Sequence, residues 1–245
     1  MLLEVCVNSA MSAVEAQKGG ADRVELCENL HDGGTTPSAG TIVTARQQLQ
    51  IGLFVMIRPR GGDFLYSPEE FSIMEEDVRM ARLSGADGVV FGILTADGRI
   101  DSVRMKRLVD LSRPMGVTCH RAFDMTRDPL EAMETLITLG VDRILTSGQQ
   151  PTAPLGADLI RQLINQSHGR IIIMPGSGVK EHNIADLIKK TGATEAHIHL
   201  EKMKPSRMEF RQTNVYMGKP DQSEFEYVIT DREQVASIRS ITERV

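Results

Sequence analysis

The sequence predicts an α/β fold, a single-domain (β/α)8 TIM barrel over residues 1–245, and three observations point to this class. The chain has 245 residues, enough for one barrel of this type. Four similar phrases each join a glycine to an apolar strand: GGADRVELC at 19–27, SGADGVVFG at 84–92, LGVDRILTS at 139–147 and TGATEAHIH at 191–199. Four further apolar stretches alternate with them, and strict alternation of strands and helices implies a parallel sheet.

The remaining strands and the helices follow from local patterns. The four other predicted strands are LLEVCV at 2–7, LFVMIRP at 53–59, VTCHRAF at 117–123 and RIIIMPG at 170–176. Helical patterns are predicted at 9–18, 38–49, 67–84, 101–113, 128–139, 157–167, 180–190 and 231–245. Ser67 is expected to cap the third helix, with Pro68 at its first position and Glu70 three residues after the cap. Ser38 is expected to cap the second helix, after an ordinary turn at 31–40.

Two parts of this assignment have alternatives. A doubly wound open sheet is the second possibility, but CVNSAMS after the first strand is not the glycine-rich fingerprint that such a fold usually carries. Segment 201–230 shows no clear periodicity, so we expect a long loop or arm before the last helix. A connection of that length is usually a lid, an interface arm or disordered.

Composition and charge exclude several classes of protein. The net charge of −5 and the lack of a basic block argue against a nucleic-acid partner. Apolar runs are too short to span a bilayer, and Glu4 interrupts the short apolar N-terminus, so neither a membrane partner nor a signal peptide is expected. The three cysteines are an odd number, and we expect reduced thiols in the cytoplasm.

The direction of the strand side chains places polar groups inside the barrel. Helix-facing positions should be apolar, and alternate residues then face the interior. This rule predicts an interior that contains Glu4, Cys6, Glu25, Cys27, Arg58, His197 and His199. The fifth strand is ambiguous: if His120 faces inward, so do Thr118 and Asp124, whereas Cys119 and Arg121 do not.

Charged groups inside a barrel suggest a pocket at its C-terminal mouth, because buried charges are costly without partners. The residues expected to do acid–base chemistry there are Glu4, Glu25, Arg58, His120, Asp124 and His197, with Arg58 holding an anionic substrate. Glu4 and Glu25 would lie roughly 5 Å apart if in register. A structural ion-pair network without a substrate is the alternative. No lysine lies in a predicted strand, which argues against Schiff-base and pyridoxal chemistry.

Two further patterns suggest ligands. Cys6 and Cys27 face the same interior from adjacent strands, and two thiolates suit a soft ion such as Cu(I), although reduced cysteines are often plain buried residues. The turn PGSGVKEHN at 175–183 opens the seventh helix and offers Gly176, Ser177 and Gly178 to a phosphate or other anion, although such a turn can also be simply tight.

Several motifs together resemble the CutC family of copper homeostasis proteins. They are EVCV, GADRVELC, MIRPRGGDF, HRAFD, LTSG and the late G-x-GV turn, and the resemblance runs from residue 2 to about residue 215. It implies a cytoplasmic barrel that forms a homodimer or homotetramer and binds Cu(I) through Cys6 and Cys27. It implies no established reaction. Cys119 stands where relatives often carry an aromatic residue, which suggests packing rather than a third ligand.

A scaffold or interaction protein that uses segment 201–230 is the remaining hypothesis, and it ranks after copper binding and after an enzyme acting on a small anion.

Overall fold

A computed structural model describes residues 1–215, 217 and 223–245. Parallel strands alternate with helices, which confirms the predicted barrel class. The barrel strands are β1 (Leu2–Val7), β2 (Arg23–Leu26), β3 (Gly52–Met56), β4 (Gly88–Phe91), β5 (Gly116–Cys119), β6 (Arg143–Thr146), β7 (Ile172–Pro175) and β8 (Glu195–Ile198). The helices are α1 (Ala10–Lys18), α2 (Ala39–Gln48), α3 (Pro68–Leu83), α4 (Ser102–Ser112), α5 (Pro129–Leu139), α6 (Ala157–Ser167), α7 (Ile184–Thr191) and α8 (Arg232–Thr242).

The strands pair in sequence order, and β8 returns to β1, so the sheet is nearly closed into a barrel. β7 and β8 lie beside each other at the seam. The apolar core lies mainly between the strands and the outer ring of helices, where residues such as Leu3, Val5 and Val24 are fully buried. Among the described residues, no helix combines the length and apolarity needed to cross a bilayer.

Helix starts follow the predicted capping chemistry. Ser67 accepts a hydrogen bond from the Glu70 N–H, and the Glu70 side chain accepts one from the Ser67 N–H, so the capping box is complete. Ser38 accepts from the Thr41 N–H at the start of α2. These contacts confirm both predicted caps.

Two differences from the predicted element bounds affect the site. β5 ends at Cys119 instead of continuing to 123, because His120 Nδ1 accepts a hydrogen bond from the Ala122 N–H and begins a 3-10 helix over Arg121–Met125. α7 begins at Ile184 rather than at 180, and the residues between Gly178 and Ile184 form a separate turn. The glycine turn therefore does not open directly into the helix.

Segment 201–230 is not simply a loop. It contains an antiparallel pair of strands, β9 (Glu201–Pro205) and β10 (Glu226–Thr230), outside the barrel. Lys202 and Lys204 lie in β9, so the prediction that no lysine is in a strand holds only for the barrel strands. Residues 216 and 218–222 of the predicted arm lie outside the described residues.

The repeated phrases act as joints between successive strands. Their glycines Gly20, Gly85, Gly140 and Gly192 all have positive φ, as the helix-end prediction requires. In three of the phrases an Asp follows two residues later and accepts a hydrogen bond at 2.8 Å from a backbone N–H of the preceding strand: Asp22 from Leu3, Asp87 from Leu53 and Asp142 from Val117. Each carboxylate thus fixes the register of a strand pair.

A layer of charge crosses the barrel interior below the mouth. In each repeated phrase, the residue that follows the Asp (or the Thr of the fourth phrase) lies in this layer: Arg23, Gly88, Arg143 and Glu195. The Glu195 carboxylate accepts hydrogen bonds from both arginines. The centre of the Phe54 ring lies near both guanidinium groups, 4.7 Å from Arg23 Cζ and 5.5 Å from Arg143 Cζ. Such cation–π contacts stabilise buried guanidinium groups whose other faces are hydrogen-bonded.

Gly88 makes room for that ring. A Cβ at this position would overlap the Phe54 side chain. We therefore expect Gly88→Ala to lower the free energy of unfolding by about 1–3 kcal/mol, the usual cost of overpacking a core. Exposed Gly40, in α2, is the matched control, since a Cβ there meets only Ser38 Oγ at 3.8 Å. Gly40→Ala should be neutral or stabilise by up to about 1 kcal/mol. Urea unfolding of both variants is the measurement, and equal stabilities would contradict this account of the layer.

Candidate functional site

A cavity of about 550 Å³ opens at the C-terminal ends of the barrel strands. Its base is formed by residues of β1, β2 and β8, and its walls come from β3 and from the loops after β5, β7 and β8. Five of the six residues of the predicted acid–base set line this cavity, Glu4 being the exception, and both predicted thiols line it as well. The structure therefore brings the residues selected by strand direction to one mouth.

Cys6 and Cys27 lie together at the base of the cavity. Their Sγ atoms are 3.9 Å apart, and Cys27 Sγ is 3.5 Å from Glu25 Oε2. In the β1–β2 ladder Cys6 pairs with Glu25 and not with Cys27, so the two thiols are offset along the strands rather than placed at matching positions. The side chains of Cys6, Glu25 and Cys27 offer three potential metal-binding atoms within 4.8 Å of one another.

The two thiols are electrostatically different. A hydrogen bond with Cys27 lowers the pKa of Cys6 well below its ordinary value; burial opposes this, and hydrogen bonds from His197 and His199 add to it. The same thiol–thiol hydrogen bond, together with burial, raises the pKa of Cys27 well above its ordinary value. Cys6 is therefore the more acidic thiol of the pair and Cys27 the less acidic one.

Glu4 lies just beneath the cavity and is fully buried. Its Oε2 accepts a hydrogen bond from Arg23 Nε, and its Oε1 accepts one from His197 Nδ1 at 2.7 Å. Burial alone would raise its pKa, but the hydrogen bond from His197 and the charge of Arg23 outweigh burial and lower the pKa to about 2. Glu4 pairs with Arg23 in the ladder and Glu25 with Cys6, so the two carboxylates are not in register.

His197 connects the carboxylates. Its Nδ1 contacts Glu4, and its Nε2 is 3.8 Å from Glu25 Oε2. Burial alone would lower the pKa of His197, but the charge of Glu25 and the contacts with Cys6 and Glu4 raise it well above 6.5. For Glu25, burial is the main reason that its pKa is raised well above 4.5. His199 is half-buried, and its hydrogen bond to Cys6 raises its pKa to about 9.

The fifth strand resolves its ambiguity in favour of an inward His120. Its ring is buried against Phe64, with the ring centres 4.9 Å apart, and its Nε2 has no hydrogen-bond partner among the described residues. Because Nδ1 accepts from the Ala122 N–H, Nε2 carries the ring proton. Burial, reinforced by the charge of Arg58, lowers the pKa of His120 to about 3, so the ring is neutral. Cys119 is fully buried in the helix-facing core.

Arg58 and Asp124 reach the mouth but make extensive contacts with the protein. The terminal guanidinium nitrogens of Arg58 donate to the carbonyls of Asp32, Gly34 and Gly62. The Asp124 carboxylate accepts from Arg121 and from groups of the turn after β6, including the N–H groups of Ser147 and Gln149. Both residues hold loops at the mouth, and the catalytic roles predicted for the six-residue set remain predictions.

The predicted anion turn also lies at the cavity. Ser177 and Gly178 line it, together with Val179 and Lys180. The Gly176 N–H donates to the Thr146 carbonyl, and a Cβ on Gly176 would overlap Leu145. Gly176 is thus required for packing, and any anion contact at this turn would come from the residues after it.

Sequence analysis missed Arg23, Arg143 and Glu195. The helix-facing positions Val24 and Ala196 already implied that their neighbours Arg23 and Glu195 point inward. Alignment of the four repeated phrases would have found all three charges, since they occupy one position of the repeat.

Comparison with known proteins assigns the family. The CutC family model matches residues 1–202. The chain belongs to the CutC family. It is 49% identical over its whole length to the copper homeostasis protein cutC homolog of Homo sapiens, covering 90% of the human protein. It is 52% identical to a CutC family protein of Parabacteroides distasonis, with 96% of this chain and 97% of the relative covered.

Solved structures agree with this assignment. The CutC structure from Streptococcus agalactiae superposes with a TM-score of 0.77 at 37% identity, covering 80% of this chain and 97% of that one. The thiamine phosphate pyrophosphorylase of Pyrococcus furiosus superposes with a TM-score of 0.61 at 17% identity and shares the fold alone. The CutC family resemblance noted in the sequence motifs is thereby confirmed.

Charge on Glu4 should make a pH-dependent contribution to stability. Because its pKa falls from 4.5 to about 2 on folding, the carboxylate stabilises the fold above pH 4.5, and that contribution is lost as the pH falls toward 2. We expect Glu4→Gln to lower the free energy of unfolding at pH 7 by on the order of 3 kcal/mol. Urea unfolding at several pH values should show the deficit shrinking between pH 4.5 and 2.

The control for this experiment is Glu76→Gln, which removes an exposed carboxylate paired with Arg79 on a helix surface. Its effect should be below about 0.5 kcal/mol at every pH. If Glu4→Gln lowered the free energy of unfolding by the same amount at pH 3 and at pH 7, the charge of Glu4 would be ruled out as the cause.

Proposed function

We propose that this chain binds Cu(I) through Cys6 and Cys27 and acts in cytoplasmic copper homeostasis. The observation that carries the proposal is the pair of buried sulfur atoms 3.9 Å apart at the base of the barrel mouth. Two of its relatives are named copper homeostasis proteins, and these names support the same role. Unpaired cysteines are typical of a reducing compartment, which is the support for the cytoplasmic location.

The chemistry of the donor atoms fits a soft monovalent ion. Thiolates select Cu(I), whereas carboxylates and imidazoles alone would favour harder or divalent ions. Two sulfurs bound to one metal at about 2.3 Å each can lie up to about 4.6 Å apart, so the observed separation requires little movement. His197 and Glu25 are close enough to the thiols to supply or support a further ligand.

The protonation states of the two thiols also favour metal capture. Cys6 loses its proton more readily than an ordinary thiol, because Cys27 and two histidines stabilise its negative charge. Cys27 loses its proton less readily and would release it when a cation binds, as thiol ligands do. Glu4 holds His197 in place from below, so the imidazole stays oriented toward the thiols.

The third cysteine offers a matched control, because Cys119 is equally buried but lies in the helix-facing layer. We expect Cys6→Ala and Cys27→Ala each to weaken Cu(I) binding at least 100-fold, since each leaves a single thiolate. Cys119→Ala should change the affinity by less than about threefold. Anaerobic competition with a chromogenic Cu(I) chelator measures all three.

Equal affinities for wild type and the Cys6 and Cys27 variants would refute the assigned ligands. A loss of similar size in Cys119→Ala would indicate that binding follows general folding rather than this thiol pair, and thermal denaturation of each variant separates the two effects.

A further inference from the structure

Two glycine-containing turns follow neighbouring strands of the barrel, and the first of them binds a carboxylate of the protein itself. After β6, the N–H groups of Ser147 and Gln149 donate to the Asp124 carboxylate at 2.9–3.2 Å. The Gly148 N–H donates to Thr146 Oγ1. In this turn, then, the backbone donors are occupied by groups of the protein itself, and a carboxylate takes most of them.

The second turn, after β7, has the same kind of donors but no protein acceptor. Among the described residues, the N–H groups of Ser177, Gly178 and Val179 donate to nothing, and all three residues line the cavity. The turn is held in place by its other atoms, because the Ser177 carbonyl accepts from the Ala153 N–H at 2.9 Å and Ser177 Oγ donates to the Pro151 carbonyl. Successive backbone N–H groups in such a turn form an anion-binding concavity.

A buried side chain aims a further free donor into the same cavity. His120 is 4% exposed, its proton is on Nε2, and Nε2 has no partner among the described residues. A buried donor without an acceptor is costly, and a ligand oxygen would remove that cost. The neutral imidazole suits a hydroxyl or carbonyl oxygen.

The charge around the cavity favours an anion. Arg58 is also 4% exposed, and it forms no salt bridge among the described residues, so backbone carbonyl dipoles are its main compensation. Lys180 adds a second positive charge at the exposed rim. A buried cation without a carboxylate partner is stabilised when an anion enters a neighbouring site.

We propose that the barrel mouth contains a second ligand site, distinct from the thiol pair, that binds a small organic phosphate monoester. The phosphate oxygens accept from the N–H groups of Ser177, Gly178 and Val179, and a hydroxyl or carbonyl oxygen of the organic part accepts from His120 Nε2. Three successive N–H groups without a protein acceptor can offer one donor to each terminal oxygen of a phosphate, whereas a carboxylate has only two oxygens. The cavity of about 550 Å³ is large enough for such a molecule beside the thiols.

Isothermal titration calorimetry with ribose 5-phosphate, inorganic phosphate and ribose as probes tests this site on the full chain. Ribose 5-phosphate should bind most tightly, inorganic phosphate more weakly, and ribose not at all up to 10-fold higher concentration. Absence of binding by both phosphate compounds would overturn the proposal, and so would equal binding of ribose and ribose 5-phosphate.

A matched pair of variants locates the phosphate. Ser177 has a positive φ, which Asp and Asn both tolerate. Ser177→Asp places a negative charge at the turn and should weaken ribose 5-phosphate binding at least 10-fold, whereas Ser177→Asn should change it by less than about threefold. Equal affinities for the two variants, with both folded by circular dichroism, would contradict the assigned turn.

His120→Asn tests the organic end. Asn retains an acceptor for the Ala122 N–H but cannot reach as far into the cavity, so ribose 5-phosphate binding should fall more than inorganic phosphate binding. An equal loss for both probes would assign His120 a general structural role instead. Copper chelator competition on Ser177→Asp should match wild type, so that failure of the phosphate site and failure of the thiol site are read separately.

Discussion

The structure of the mouth depends on one buried carboxylate, Glu4, which joins two layers of the barrel interior. One oxygen accepts from Arg23 in the charged layer below, and the other accepts from His197 beside the thiols. An isolated buried carboxylate would be strongly destabilising, and pairing on both oxygens is what makes it tolerable. The same pairing fixes the His197 ring, so the electrostatics of the site are set from beneath it.

The charged layer is balanced within itself. Arg23 and Arg143 carry two positive charges, and Glu4 and Glu195 carry two negative ones, with each arginine bonded to at least one of the carboxylates. The Phe54 ring packs against both guanidinium groups and occupies the space that Gly88 leaves open. A neutral, fully bonded layer closes the lower barrel without the branched aliphatic packing usual in this fold. Charged side chains whose charge is not balanced within this layer therefore lie at the mouth.

Strand direction was the part of the site that the sequence could predict. Apolar alternation placed Cys6, Glu25 and His197 inside the barrel, because successive side chains of a strand point to opposite faces of the sheet. The same rule was not extended to the first residues of the four-residue strands, and so Arg23, Arg143 and Glu195 were missed. The strand pattern did not reveal the local hydrogen bond from the Ala122 N–H to the His120 side chain, which begins a 3-10 helix directly after Cys119 and so ends β5 there.

Segment 201–230 shows a different limit of prediction from sequence patterns. Its strands β9 and β10 are short and mostly exposed, with no apolar alternation for a pattern to detect, and they pair only with each other. The pairing is set by tertiary contacts at its base, where Ile229 and Thr230 are buried and the Thr230 N–H donates to Ser12. Local sequence gives little information about such a hairpin.

Soft and hard donors are separated across the mouth, and this separation is what allows two ligands of different chemistry. The sulfur atoms lie at the base, one on β1 and the other directly after β2, where they suit a soft cation. The backbone N–H groups that have no acceptor in the described part of the chain lie on the loop after β7, and such donors bind anionic oxygen but not Cu(I). After β6, the equivalent N–H donors bind the Asp124 carboxylate. Of these two turns, the one after β7, which faces the cavity, is therefore the one that could bind an anion from outside. Each of the two proposed ligands would therefore have its own donors, and neither would need to displace the other.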